Sequence, residues 1–234
     1  MKERSWTINK VGIVVATKAE KLPFIEVFGK PSEVCSGAAY DVLIWKNLHH
    51  YEIYLIESSY GEIAAAAATQ YLIDKFNVER IFNYGAVGGL HEEHPVHKVG
   101  VASKIVHYDF DLSADGEYPE YPVGRYPNQK GLFIMPAEEA LPSIHKNRLP
   151  EFICASADKF VGAGEPKKKL RRDFNADICE MEAAAIVITC NRNGIPCSFI
   201  KAISDGVDEG GKAFDQNVAK AARACVEELA RFLT

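Results

Sequence analysis

The sequence predicts one α/β domain spanning residues 1–234, built as three layers (α/β/α) around a central mixed β-sheet. Three observations carry this. Short unbroken apolar runs such as VGIVVA at residues 11–16 read as strands covered on both faces. Stretches with helical spacing alternate with them, the pattern of a layered α/β domain. The 234 residues are 47% apolar and 25% charged, enough for one sizeable core, and no repeat, low-complexity tract or linker divides them.

Each element follows in order. Residues 11–16 open the sheet and 19–28 follow as a helix. Residues 40–45 and 51–57 form a hairpin around Asn47, Leu48, His49 and His50. A helix covers 61–76, where five consecutive alanines allow close packing on a sheet. Residues 80–84 are a strand running into Gly85-Ala86-Val87-Gly88-Gly89, and 99–107 are another. Residues 109–129 are rich in Pro, Gly, Asp and Tyr and have no period. They form a loop too long for a connector, placed to cover a site or an interface. Strands are expected at 131–135 and 151–155, with a helix at 138–145 between them. Pro166 sits in the first turn of a helix over 167–174. A helix over 180–193 is stopped by Gly194-Ile195-Pro196. A buried strand over 196–203 then stops at Ser204-Asp205, and an amphipathic helix over 213–233 closes the chain.

Composition excludes several functions. The net charge of −5 gives no electrostatic case for nucleic acid or acidic membrane. No stretch approaches the ~20 apolar residues of a membrane-spanning helix. The opening MKERSWTINK lacks the apolar core of a signal peptide, so the cytoplasm is the expected location. Cys35, Cys154, Cys179, Cys190, Cys197 and Cys225 show no CxxC spacing and read as reduced, buried small hydrophobes. His91, His94 and His97 form HEEHPVH, but Pro95 prevents a regular helix face, so a solvated loop is favoured over a metal site. The basic run Lys167, Lys168, Lys169, Arg171 and Arg172 reads as a solvated face. No metal and no cofactor are implied.

Four features carry possible chemistry. Open α/β sheets bind ligands at the carboxyl ends of their strands. Asp205 stands at such an end, beside Ser204; it is either a buried acid in need of a partner or the cap of a turn. Glu20 follows the first strand and is either a general base toward water or an exposed charge. Glu180 and Glu182 are two apart and cannot share a helix face. One of them has a task off the surface, such as binding vicinal hydroxyls, or both complement the helix dipole. The glycine turn that includes Ala86 and Gly88 could cradle a ribose or an anion, but it matches neither GxGxxG nor a P-loop.

Together these segments resemble the nucleoside phosphorylase and nucleosidase superfamily, and within it the bacterial 5′-methylthioadenosine/S-adenosylhomocysteine nucleosidases. The markers occur in the family's order. They are Glu20 after the opening strand, Ser59-Tyr60-Gly61, the glycine turn, Ser156 through Val161, Glu180-Met181-Glu182-Ala183, and Ala202-Ile203-Ser204-Asp205. The resemblance implies a nucleoside phosphorylase-like fold and assigns roles by position. Asp205 protonates or hydrogen-bonds N7 of a departing adenine, and Glu20 orients and deprotonates the attacking water. Glu182 holds the ribose hydroxyls beside the Met181 backbone. Phe160 stacks on the purine while the Val161 backbone reads its edge, and Phe214, in the loop before the last helix, covers the 5′ substituent. It also implies a homodimer in which a neighbour helps to close the 5′ pocket.

The chain departs from the family pattern at Ala86 (commonly Ser) and Lys201 (commonly Arg), both near the expected water. It departs again at Thr17 and Tyr60, positions usually apolar in the 5′ pocket. A proton on N7 makes a poor leaving group neutral, so Asp205 needs surroundings hostile to its anion while Glu20 stays ionised. Phosphorolysis is the alternative. Lys18 is the only cation near the first strand end, and Glu20 would repel phosphate, so water is favoured. A related nucleosidase for another nucleoside, such as futalosine, is a further reading.

Overall fold

The computed structural model describes residues 9–114, 122–127 and 129–233. Among the described residues, nine strands form one sheet in the order β2-β3-β4-β1-β5-β8-β7-β6-β9. They are β1 (Asn9–Val15), β2 (Glu33–Ser36), β3 (Asp41–Leu48), β4 (Tyr51–Glu57), β5 (Arg80–Gly89), β6 (Val99–His107), β7 (Glu151–Ser156), β8 (Ile178–Glu180) and β9 (Cys197–Asp205). The pairing is mixed, and β9 also pairs with β5, which closes β5-β8-β7-β6-β9 into a ring.

Two helical layers complete the fold. On one face α2 (Glu62–Phe76) and α5 (Ala183–Asn193) pack Ala65, Ala68, Leu72, Ile186 and Val187 against Val14, Ile56 and Ile81. On the other, α1 (Lys18–Phe28) and α6 (Gly211–Leu233) pack Phe24, Ala222, Val226 and Leu229 against Ile13, Val15 and Phe82. Ala65 and Ala68 of α2 lie fully buried against the sheet, as the alanine run predicts, and small residues on α2 and α5 also let those two helices sit close together. Two short helices, α3 (Ser143–Lys146) and α4 (Glu165–Phe174), lie on the connections.

Three expectations are corrected. The helix expected over 138–145 is reduced to α3, because Pro142 cannot continue a helix. The stretch before it instead meets the start of β9: Cys197 N–H donates to the Glu138 carbonyl and Leu141 N–H to Ser198 Oγ. The strand expected over 131–135 is only a bridge between Ile134 and Ile105. The 180–193 helix begins later, since Glu180 ends β8 and Glu182 is the N-cap of α5. The sequence missed β2 altogether; its four residues are mostly exposed and carry no periodic signal. The loop expected over 109–129 lies partly outside the described residues. No helix is long and apolar enough to cross a membrane among the described residues. All six cysteines are unpaired and five are buried.

Candidate active site

Strand ends β1, β5, β8 and β9 surround one cavity of about 540 Å³. Glu20, Glu182 and Asp205 all line it, as do Thr17, Tyr60, Ala86, Gly88, Phe160, Val161, Met181 and Phe214. Ser204 and Lys201 do not. Both stand one layer behind the wall.

Glu20 is not the exposed helix charge that its position also allows; it is 5% exposed. It is the third residue of α1 and completes a capping box with Thr17. Its Oε2 accepts from the N–H groups of Ala16 and Thr17, each at 3.1 Å, and from the Thr17 hydroxyl. Its Oε1 accepts from Ala86 N–H at 3.0 Å. The main chain of Ala86 therefore holds this carboxylate without the hydroxyl that family members commonly carry there. Gly85 makes room: a Cβ at that position would lie 2.2 Å from Glu20 Oε1. Burial pushes the Glu20 carboxyl up, against the Lys201 charge and these donors. A carboxyl raised in this way is a better proton acceptor than an exposed one.

Glu180 and Glu182 have separate tasks, and both precede the helix. Glu180 accepts from the N–H groups of Glu182 and Ala183, satisfying donors at the α5 N-terminus. Lys201 Nζ pairs with it at 3.0 Å, both residues being buried. Burial pushes Glu180 up, but the Lys201 ammonium and the hydrogen bonds outweigh it and hold the carboxyl below its ordinary value. Lys201 thus serves Glu180 and does not reach the cavity wall. Glu182 Oε1 accepts from Gly61 N–H at 2.9 Å. Burial, then the neighbouring Glu180 charge, push Glu182 up to about 8.

Asp205 differs most from expectation. Its surroundings were expected to be hostile to an anion. Instead Ser204 Oγ donates to Oδ1 at 2.6 Å and Lys167 Nζ to Oδ2 at 2.5 Å. Lys167, read in the sequence as part of a solvated basic face, is wholly buried. A signal was available. Lys167 and Leu170 are three apart on α4, so the lysine lies on the helix's apolar side. Its neighbours do form surface pairs: Lys168 with Asp208, Lys169 with Asp173, Arg171 with Asp177 and Arg172 with Glu165.

Phe160 and Phe214 meet edge-to-face at 5.9 Å between centroids. Phe214 lies in the first turn of α6, not in a preceding loop. The His-rich segment places His91 on His94 as a stacked pair at 4.7 Å, away from the cavity lining.

This fold and this cavity define the class. The chain belongs to the phosphorylase superfamily, whose family model matches residues 10–234. Within that class its relatives include nucleosidases. The aminodeoxyfutalosine nucleosidase of Helicobacter pylori is 30% identical over 232 residues, 95% of this chain and 97% of that protein. A 5′-methylthioadenosine/S-adenosylhomocysteine nucleosidase of Shewanella pealeana is 27% identical over 220 residues, 91% of this chain and 93% of that one. The crystal structure of a Helicobacter pylori nucleosidase of the latter name, with butyl-thio-DADMe-Immucillin-A, has a TM-score of 0.87 at 29% identity, covering 97% and 98% of the two chains.

Proposed function

We propose that this enzyme is a nucleosidase that hydrolyses the N-glycosidic bond of 5′-modified adenine nucleosides, releasing adenine and the 5′-substituted ribose. 5′-Methylthioadenosine, S-adenosylhomocysteine and 5′-deoxyadenosine are its candidate substrates. The observation that carries this reading is the meeting of Glu20, Glu182 and Asp205 on one cavity wall.

Asp205 must take up a proton in the substrate complex, against the Ser204 and Lys167 donors that favour its anion; it gives that proton to N7 while the N9–C1′ electron pair moves into the purine, so adenine leaves neutral. Positive charge grows on the ribose, as in glycoside hydrolysis generally. Glu20 takes a proton from water as the oxygen bonds to C1′. Glu182 binds the ribose hydroxyls beside the Met181 backbone, Phe160 stacks on the base, and the Val161 backbone faces its edge. Phe214, Tyr60 and Thr17 border the 5′ group, and two of these three side chains carry hydroxyls.

Water is favoured over phosphate on the charges present. The ionisable lining residues are Glu20, Glu180, Glu182, Asp205 and Asp215 against the single cation Lys159. The buried cations behind the wall, Lys167 and Lys201, are already paired with carboxylates. A phosphate would find one lining cation, Lys159, to bind it. The relatives named aminodeoxyfutalosine nucleosidase support a second reading, in which the 5′ substituent is of that kind.

A homodimer acting in the cytoplasm completes the proposal. Tyr60 and Ile63, 58% and 83% exposed, stand at the cavity mouth and the start of α2, where a second copy would close the 5′ end. Five buried, unpaired cysteines fit a reducing compartment. Adenine release from a panel of 5′-modified nucleosides, with and without phosphate, tests the function. Equal rates without phosphate are expected, and a strict phosphate requirement would overturn it.

A further inference from the structure

The mechanism above leaves several buried charges unused, and Lys167 is the one that touches the acid itself. Lys167 has no exposed surface and does not line the cavity. Burying an ammonium is unfavourable unless every donor finds a partner. All three donors are occupied: Asp205 Oδ2 at 2.5 Å, the Gly206 carbonyl at 2.7 Å and the Glu209 carbonyl at 3.0 Å. Two of those partners belong to the turn that follows β9, so one side chain ties α4 to Asp205 and to its turn at once. Gly164 N–H, at the N-cap of α4, donates to the Val207 carbonyl of the same turn and fixes the same approach. Gly88 leaves the space needed. A Cβ there would come within 3.3 Å of both Cε and Nζ of Lys167 and within 2.9 Å of Cys179 Sγ.

We propose that Lys167 is a positioning residue for catalysis, which aims the Asp205 carboxyl at the purine and balances the charge left on it when its proton has gone. The inference rests on the acid role given to Asp205 above. In that step the Asp205 O–H bond breaks and an N7–H bond forms. The N9–C1′ electron pair leaves with the base, and a carboxylate remains against the Lys167 ammonium. The lysine keeps its own protons throughout. Ser204 fixes the other oxygen, so the carboxyl is held at both ends. A carboxyl gripped in this way presents one orientation to a ligand, and small misplacements of a reacting group are costly.

The test is a double-mutant cycle on the full chain with 5′-methylthioadenosine, reading kcat and KM separately. Lys167→Met keeps the length of the side chain and removes the charge. Melting temperature and circular dichroism report whether it folds, and Lys167→Gln, which retains a donor, takes its place if it does not. The expected result is a kcat lower by about tenfold or more, a part of the ~10²–10⁴-fold that a general acid contributes. KM should change by less than about threefold, because the loss lies in the transition state. In an Asp205→Asn background the same lysine change should cost nothing further. A folded lysine variant with the parent's kcat, a loss confined to KM, or an equal further loss in the Asp205→Asn background would each overturn the proposal. Asp205→Asn as fast as the parent would remove the acid role itself and this inference with it. A crippled Asp205→Asn beside an unaffected lysine variant would remove the inference alone.

Discussion

Substituting Gly85 by alanine should disable Glu20 without touching it. Gly85 lies within β5, where its φ is ordinary, so the backbone itself accepts an alanine. The obstacle is space: the new Cβ would fall 2.2 Å from Glu20 Oε1 and 3.0 Å from its Cδ. Ordinary contact begins near 3.4 Å, so the carboxylate must retreat by about 1 Å or more. It is held by three backbone N–H groups and one hydroxyl, two of the N–H groups being on the β1–α1 connection and one on β5. Retreat breaks at least the bond to Ala86. A displacement of this size at a water-activating group costs about 10²-fold in rate, and overpacking costs roughly 1–3 kcal/mol of stability. Steady-state adenine release and thermal melting, measured together, separate the two. Gly131→Ala, at a position with nothing within 4 Å of the added methyl, is the control. A Gly85→Ala enzyme within threefold of the parent would refute the claim that this tightly held carboxylate prepares the water.

Three further outcomes follow from the same geometry. Glu182 is held up to about 8, so between roughly pH 4.5 and 8 the unfolded chain has lost a proton that the folded chain keeps; stability should fall as pH rises at up to about 1.4 kcal/mol per unit. Glu182→Gln should remove that slope, melting higher than the parent at pH 7.5 and little differently at pH 4.5, while turnover is lost. Lys201→Met strands the buried Glu180 charge and should cost about 3–5 kcal/mol, measured by urea unfolding at neutral pH. Because Glu180 is held below its ordinary value, the gap from the parent should narrow as the pH falls through the acid range. Phe160→Ala should raise KM by the loss of one base-stacking contact, ~1–3 kcal/mol, with little change in melting, since Phe160 is half exposed.

Much of the fold was legible because burial leaves a pattern. β6 occupies the residues expected from its apolar run and α2 falls within a residue of its expected bounds, while β3 runs three residues past its expected end, so that Asn47 and Leu48 belong to the strand and His49 and His50 make the turn. The motifs marked residues that the fold brings together, and all but Ser204 and Lys201 line the cavity. What the sequence hid is tertiary. Nothing local marks Lys167 as Asp205's partner, because the pair is 38 residues apart and the lysine sits in a run of cations. Glu180 looked like a helix residue because EMEAAA has helical composition, but its pairing beside Ala157 and Ser156 draws it into β8. The ring closed by β5 and β9 depends on a pairing between two distant parallel strands, which no local spacing announces.

The central claim is that Asp205 releases the base while Glu20 delivers water to C1′. Hydrolysis of 5′-methylthioadenosine in phosphate-free buffer made with ¹⁸O-enriched water tests it most directly, by mass spectrometry of the sugar product quenched before its C1 oxygen exchanges. Free adenine with label in the early sugar product, and neither product from Glu20→Gln or Asp205→Asn, is the predicted result. Adenine that appears only when phosphate is added, or undiminished release by both variants, would contradict it.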